Sequence, residues 1–120
     1  MATSPTQLSL KKLRDEGYTV AIVEHWNAFA RIRQDLFGFI DILALKGKEV
    51  LAVQTTTASN MSARINKIAD NEYVNAVRDA GWTIHVHGWH QDDKRKWHCK
   101  VKDVSCNFNQ SIIIINTKTQ

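Results

Sequence analysis

The segment DLFGFIDILALKGKEVLAVQTTT spans Asp35 to Thr57. It predicts two apolar strands, LFGFIDILAL and EVLAVQTT, joined as an antiparallel hairpin by a tight Lys-Gly-Lys turn centred on Gly47. A carboxylate, Asp41, lies inside the first predicted strand, and an amide, Gln54, lies towards the end of the second. Because an isolated carboxylate is costly to bury, Asp41 needs a partner that compensates its charge.

The segments on either side of this hairpin complete an α/β pattern. Before it, Ser4-Pro5 and Gly17 bracket a predicted helix, and YTVAIVEHWN predicts a strand from about Tyr18 to Trp26, followed by the basic connection AFARIRQ. After it, a helix is predicted from Ser59 or Asn60 to Gly81, either continuous or broken at Asp70-Asn71. The apolar positions of this helix that should face inward are Met61, Ile65 and Ile68.

Further strands are predicted at WTIHVHGWH and RKWHCKVKDVS, and the apolar segment SIIIIN is a short strand whose placement stays open. The core order is therefore α-β-β-β-α-β. An antiparallel hairpin followed by a helix and a returning strand predicts an α/β fold with a mixed central sheet flanked by helices.

Composition bounds the class of protein. The chain has 120 residues and 13.7 kDa, with 43% hydrophobic and 23% charged residues, which favours one folded domain over residues 1–120. The sequence lacks an apolar run of membrane-spanning length and a signal-peptide core, so we expect a cytoplasmic protein without a membrane partner. In that reducing compartment Cys99 and Cys106 should be free thiols. A net charge of +4 favours a polyanionic partner.

Polar groups recur in the three consecutive strands at Glu24, Asp41 and Gln54. Asp41 and Gln54 stand at similar distances from the turn, so they should be near neighbours across the hairpin. Mg²⁺ prefers carboxylates, carbonyl oxygens and water. The Asp41 carboxylate, the Gln54 side-chain carbonyl and the Thr55 backbone carbonyl therefore predict a site for Mg²⁺ or Mn²⁺. The alternative is a structural Asp41 that pairs with Arg33 or with a helix N-terminus.

This pattern resembles the PD-(D/E)XK nuclease superfamily, and within it the small phage-type and Holliday-junction-resolvase-like nucleases. The resemblance covers the chain from the first helix through GWTIHVHGWH. It implies a restriction-endonuclease-like αβββαβ core and a Mg²⁺-dependent endodeoxyribonuclease, with Glu24 and Asp41 at the first two acidic positions of the motif. Where the family has Glu-x-Lys on the third strand, this chain has Gln54-Thr55-Thr56, so the family's catalytic lysine is replaced by threonine.

The resemblance thus implies a catalytic set of Glu24, Asp41 and Gln54, together with a cation from another element. The second predicted helix carries a polar stripe spaced i, i+4, i+7, namely Asn60, Arg64 and Lys67. Lys67 or Arg64 would supply this cation, and Asn60 and Arg64 are expected to contact DNA. The segment RIRQD offers Arg31, Arg33 and Asp35 as contacts to the DNA backbone or as supports for the metal ligands. A third basic group either follows a phosphate backbone or protects an edge strand: Lys94, Arg95, Lys96, Lys100 and Lys102.

Three hypotheses of function follow. The first is a nuclease acting on duplex or branched DNA, the second a DNA-binding module that lost catalysis with the lysine, and the third a structural protein of a phage or mobile element. Since many members of the superfamily act as dimers, a homodimer is also expected, with SIIIIN as a candidate edge. Zinc is less favoured, because the histidines have no second ligand cluster with zinc spacing. The histidines in question are His85, His87, His90 and His98. The tryptophans Trp82, Trp89 and Trp97 are expected to form core and sheet cover rather than a platform for stacking bases.

Overall fold

The computed structural model describes residues 3–106 of the chain. The elements are α1 (Pro5–Asp15), β1 (Thr19–Ile22), β2 (His25–Asn27), β3 (Ile32–Gln34), β4 (Ile42–Lys46), β5 (Glu49–Thr57), a 3-10 turn (Ala58–Asn60), α2 (Met61–Ala69), α3 (Val74–Asp79), β6 (Thr83–Gln91) and β7 (Trp97–Asp103). The SIIIIN segment lies outside the described residues, so the strand and dimer edge expected there stay predictions. Each helix between residues 3 and 106 is too short or too polar to cross a bilayer.

A five-stranded mixed sheet in the order β1-β4-β5-β6-β7 forms the centre of the fold. Strands β4 and β5 form the predicted antiparallel hairpin, turning at Gly47 with φ of 61°. Strand β6 runs parallel to β5 because α2 and α3 carry the chain back across the sheet, and β1 and β7 add antiparallel edges. The α/β class and the mixed sheet flanked by helices are thus confirmed.

The strand period of two assigns successive residues of β5 to opposite hydrophobic layers. On one face, α1 packs Leu10 and Leu13 against β4 and β5, including Leu51 and Val53. On the other face, α2 and α3 cover a layer that contains Ala52. Gln54 therefore projects to the α2 side of the sheet and Thr55 to the α1 side.

The single strand predicted from Tyr18 to Trp26 is wrong. Strand β1 ends at Ile22, and β2 leaves the main sheet to pair with β3, which lies in the segment expected to be a plain connection. Asn27 explains the hairpin, because its side-chain Oδ1 accepts hydrogen bonds from the backbone N–H groups of Phe29 and Ala30, at 3.0 and 3.1 Å. Such a side-chain-capped turn reverses the chain within four residues.

The strand LFGFIDILAL is also shorter than predicted, because β4 begins at Ile42. Residues 36–40 form a tight turn in which Leu36 and Ile40 pair across an isolated bridge. Phe37 and Gly38 both have positive φ, at 55° and 84°, and this reverses the backbone. Asp41 therefore lies at the entrance to β4 rather than inside it.

The long helix predicted from residue 59 or 60 to Gly81 is two helices. Helix α2 ends at Ala69 and α3 begins at Val74, which is the broken alternative. Asn71 stops α2, since its Oδ1 accepts from the backbone N–H of Tyr73 at 2.7 Å. The inward-facing positions are confirmed: Ile68 is buried, and Met61 and Ile65 pack against the same layer.

A buried polar cluster lies between α1 and the sheet. The Ser9 hydroxyl contacts His87 Nδ1 at 2.9 Å and Thr55 Oγ1 at 3.2 Å, and it accepts from Trp89 Nε1 at 2.8 Å. Burial, with the nearby charges of His85 and Lys12, lowers the pKa of His87 to about 4. His87 is therefore neutral at physiological pH and joins α1 to β6 as a hydrogen-bonding group.

We expect Ser9→Ala to lower the free energy of unfolding by about 1–3 kcal/mol, because it leaves the buried Trp89 Nε1–H and His87 Nδ1 without a partner. Urea denaturation of the variant and of the wild type measures this loss. Ser59→Ala is the matched control, since Ser59 bonds only to Thr57 in an exposed position. Equal losses in the two variants would contradict the structural role of the cluster.

Candidate metal centre

Three carboxylates meet at one end of the sheet: Glu24, Asp35 and Asp41 each offer an oxygen, and these oxygens all lie within 4.8 Å of one another. Asp41 is buried, whereas Glu24 and Asp35 are partly exposed. In the described part of the chain, no other set of three or more acidic, histidine or cysteine side chains converges in this way. We refer to these three residues as the acidic cluster.

The β2–β3 hairpin and the turn that follows it bring the acidic cluster together. Glu24 directly precedes β2, Asp35 directly follows β3, and Asp41 directly precedes β4. Because Leu36 pairs with Ile40, the residues that flank this pair, Asp35 and Asp41, face each other across the turn. Asp41 is held on both sides, since its carbonyl accepts from Val23 N–H and its own N–H donates to the carbonyl of Val53, both at 2.9 Å.

Strand β5 fixes the orientation of the Asp41 carboxylate. Its Oδ2 accepts from the Gln54 side-chain amide at 2.8 Å and from the Thr55 backbone N–H at 2.9 Å. Only the NH₂ group of Gln54 can donate to a carboxylate, so its nitrogen faces Asp41. Both donors use the same oxygen, so Oδ1 accepts neither of these bonds. Gln54 thus orients the Asp41 carboxylate, and the Thr55 group that reaches Asp41 is its N–H rather than its carbonyl.

The pKa of Asp41 is raised to about 7, principally because burial disfavours the charged carboxylate. The hydrogen bond from Thr55 opposes this shift, while the charge of Asp35, a hydrogen bond shared with the Asp35 carboxyl group, and the charge of Glu24 add to it. Like-charged carboxylates at close range resist joint ionisation. A cation bound among them would remove this repulsion and displace the proton.

The dimensions of the acidic cluster fit a small divalent cation. Mg²⁺ binds oxygen at about 2.0–2.1 Å, so adjacent ligands of its octahedron are about 3 Å apart and opposite ligands about 4.2 Å apart. The carboxylate oxygens, which all lie within 4.8 Å of one another, would reach these spacings if side-chain rotation moved each oxygen by up to about 1 Å. Three carboxylate oxygens are hard ligands of the kind that Mg²⁺ and Mn²⁺ favour.

A cleft of about 650 Å³ opens beside the acidic cluster, and Asp35 forms part of its wall. Cationic side chains line the same cleft, namely Arg33 and Lys67, together with His25. Arg33 Nη1 lies 3.4 Å from Glu24 Oε1, while Lys67 is exposed and projects from the last turn of α2. The cleft therefore places one carboxylate of the acidic cluster, Asp35, beside two cationic side chains.

Several other predicted site residues lie outside the cleft. Thr56 is buried on β5, and among the described residues that line the cleft neither Asn60 nor Arg64 is present. Arg31 lies at the tip of the β2–β3 hairpin. The segment Lys94, Arg95 and Lys96 forms the turn between β6 and β7, held by Asp92, and does not reach the cleft.

The histidines find separate partners. His87 belongs to the polar cluster under α1, His85 lies 3.4 Å from Asp103, and His98 lies 2.8 Å from Asp92. His90 stacks on His98. Of the tryptophans expected in the core, Trp89 is buried, Trp82 packs against the α2 layer, and Trp97 is 38% exposed on the edge strand.

The sequence pattern predicted that Asp35 contacts the DNA backbone or supports the metal ligands, whereas in the structure its carboxylate belongs to the acidic cluster itself. The signal that could have identified it is the Phe-Gly pair at 37 and 38, which favours a reversal of the chain. A reversal centred there places Asp35 opposite Asp41. The apolar residues on both sides of the pair favoured a continuous strand and concealed it.

Asp41 and His87 should influence stability in opposite directions between about pH 4 and 7. Asp41 has a pKa of about 7 in the folded state and 3.8 in the unfolded chain. Between these values the folded state keeps a proton that the unfolded chain has released, so this group makes the free energy of unfolding fall as pH rises. The unfolded chain instead takes up a proton on His87 below pH 6.5 that the folded state refuses down to about pH 4, so stability rises with pH.

We expect Asp41→Asn to expose this balance. The difference in free energy of unfolding, variant minus wild type, should be larger at about pH 8 than at about pH 5 by on the order of 2 kcal/mol. The reason is that only the wild type must ionise a buried carboxylate as the pH rises. Urea denaturation with EDTA at the two pH values measures it. Asp93→Asn, on an exposed turn, should show no such difference; an equal gain at both pH values would contradict the raised pKa.

No family model matches this chain, and no curated protein matches it in sequence. The resemblance to PD-(D/E)XK nucleases stays a prediction from the sequence, based on the order of elements and on Glu24, Asp41 and Gln54.

Proposed function

We propose that this protein is a Mg²⁺-dependent DNA endonuclease that hydrolyses phosphodiester bonds at the acidic cluster. The observation that carries the proposal is the convergence of Glu24, Asp35 and Asp41 within 4.8 Å beside a cleft that also presents Lys67 and Arg33. Perturbed, partly buried carboxylates in a cleft are typical of functional sites. Mn²⁺ should replace Mg²⁺, because both favour oxygen ligands.

The residues of the site divide the chemistry between them. The three carboxylates would hold the cation, which would lower the pKa of a water molecule and neutralise charge on the phosphate. Gln54 holds Asp41 in its ligating orientation through the 2.8 Å hydrogen bond. Lys67 lines the same cleft and would stabilise the charge that develops on the phosphate, the role of the lysine that Thr56 replaces.

The order of elements supports a restriction-endonuclease-like core. Helix α1, strands β1, β4 and β5, the pair α2–α3 and strand β6 follow in the sequence α-β-β-β-α-β. The β2–β3 hairpin is then an insertion between the first and second strands of that core. It contributes the connection that brings Glu24 and Asp35 to Asp41.

A second candidate is a catalytically inactive DNA-binding module on the same fold. The observation that favours it is Thr56, which is buried at the position of the family's lysine and offers no cation. In that case the acidic cluster would serve structure or cation binding alone, and the basic groups would bind DNA.

Incubation with duplex, branched and single-stranded DNA, with Mg²⁺, with Mn²⁺ and with EDTA, separates the two candidates. A nuclease should cut only with the metals, and Asp41→Asn should abolish cutting while Asp93→Asn leaves it intact. A binding module should bind DNA without cutting it, and equally well with Asp41→Asn. Cutting that persists in EDTA and in Asp41→Asn would contradict the nuclease.

Sedimentation of the protein with and without DNA tests the homodimer that cutting of both strands would require.

A further inference from the structure

We propose that the β2–β3 hairpin, residues 25–34, is an arm that enters a groove of duplex DNA and sets the duplex beside the acidic cluster. The location of the cut rests on the proposed function, whereas the grip of the arm on DNA does not. We call this segment the arm.

The arm exposes apolar side chains that its own fold does not cover. Trp26 is 59% exposed, Ile32 50%, and Phe29 at the tip is exposed completely. Within residues 3–106, strands β2 and β3 pair only with each other and form a sheet separate from the main one. The register of the arm pairs Trp26 with Arg33 and Asn27 with Ile32, so Trp26 and Ile32 project to opposite faces and apolar groups are exposed on both faces and at the tip. Because a two-stranded hairpin is marginally stable alone, we infer that a partner contacts the arm on both faces, as the walls of a groove would.

The charge of the arm identifies an anionic partner. Residues 25–34 include Arg31 and Arg33 and no carboxylate. A second copy of the same arm would place like charges together, which argues against self-association through it. A polyanion instead complements Arg31 at the tip, and exposed apolar side chains such as Phe29 can contact base edges and thymine methyl groups in the major groove.

The tip presents Phe29 in a fixed position. Asn27 caps the turn through its side chain, and its carbonyl accepts from the backbone N–H of Arg31 at 2.7 Å. Arg31 takes the left-handed conformation, with φ of 58°, which closes the turn. The major groove of B-form DNA, about 12 Å wide, admits a two-stranded ribbon of this kind. Phe29 would then contact base edges while Arg31 contacts phosphate.

The two ends of the arm carry two members of the acidic cluster. Glu24 directly precedes β2 and Asp35 directly follows β3, so the base of the arm forms one wall of the metal centre. Arg33, on the last strand of the arm, contacts Glu24 at 3.4 Å. A duplex that holds the arm in its groove therefore has its backbone beside the carboxylates, which makes duplex DNA the substrate class of this site.

DNA affinity measured by fluorescence anisotropy in EDTA tests the arm without cleavage. Phe29→Ser and Arg31→Ala should each weaken binding of a short duplex about fivefold or more, and Arg31→Ala should also reduce the slope of log Kd against log salt by about one. Matched controls are Leu45→Ser, an equally apolar exposed residue far along β4, and Lys48→Ala in the Gly47 turn. The controls should remain within about twofold of the wild type.

Duplex RNA provides a further comparison, since its deep, narrow major groove excludes a ribbon. The wild type should prefer duplex DNA, and Phe29→Ser should reduce this preference. Unchanged DNA affinity in both arm variants would overturn the proposal, as would a loss of dimers in Phe29→Ser without any change in DNA affinity. If the arm variants lose DNA affinity but the wild type binds no Mn²⁺, the proposal for the arm is supported and the proposed nuclease is contradicted. If the wild type binds Mn²⁺ but the arm variants bind DNA as the wild type does, the proposal for the arm is contradicted and the nuclease is not.

Discussion

Asp41→Asn is expected to lower the rate of Mg²⁺-dependent DNA cleavage by at least about 10²–10³-fold. The substitution removes the buried negative charge that a cation would compensate, while the amide oxygen can still accept from Thr55 N–H. Initial rates on the preferred DNA substrate, at a Mg²⁺ concentration that saturates the wild type, measure the effect.

Two controls separate this loss from unfolding. The variant should be more stable than the wild type above about pH 7, because it no longer carries a carboxylate that burial holds at a pKa of about 7. Its affinity for DNA in EDTA should be retained, because the arm and the cleft cations are unaltered. A folded Asp41→Asn variant that cuts at the wild-type rate would exclude the acidic cluster as the catalytic site.

Lys67→Met should lower kcat by about 10²–10³-fold with no change in metal affinity, because a preorganised charge that acts in the transition state is lost while the carboxylates remain. Lys67 is the exposed cation of α2 that shares the cleft with Asp35. Methionine retains the length and apolar stem of the side chain and removes the ammonium group. Single-turnover cleavage measures the rate, and Mn²⁺ titration the affinity.

Lys67→Arg should restore part of the rate, since it returns the charge with a different geometry. Lys48→Met, in the turn at the far end of the β4–β5 hairpin, is the matched control and should cut normally. If Lys67→Met retains the full rate in an active protein, the function of the missing lysine lies elsewhere, and Arg33 becomes the residue to test because it lines the same cleft.

The fold could be predicted where a local pattern and tertiary packing agree. The Gly47 turn between two apolar runs gave the β4–β5 hairpin, and the spacing of Met61, Ile65 and Ile68 gave the buried face of α2. The β2–β3 hairpin was missed because it buries little apolar surface and so carries no hydrophobic period. Its turn depends instead on hydrogen bonds to a single side chain, Asn27.

The candidate site could be predicted only in part, for a related reason. Asp41 and Gln54 were placed near each other by counting from the Gly47 turn, and the structure joins them by a 2.8 Å hydrogen bond. Asp35 acquires its position from a reversal of the chain at Phe37-Gly38 inside an apolar run. The hydrophobic periodicity of the sequence does not reveal such a turn, because the residues on both sides of it are equally apolar.

A Mn²⁺ titration followed by electron paramagnetic resonance measures whether the acidic cluster binds a divalent cation. The wild type at about pH 8, above the raised pKa of Asp41, should remove free Mn²⁺ from solution in a saturable manner, and Mg²⁺ should compete. Asp41→Asn and Asp35→Asn should each abolish this binding, whereas Asp93→Asn should retain it. Failure of the wild type to bind Mn²⁺, or equal binding by all four proteins, would contradict the account.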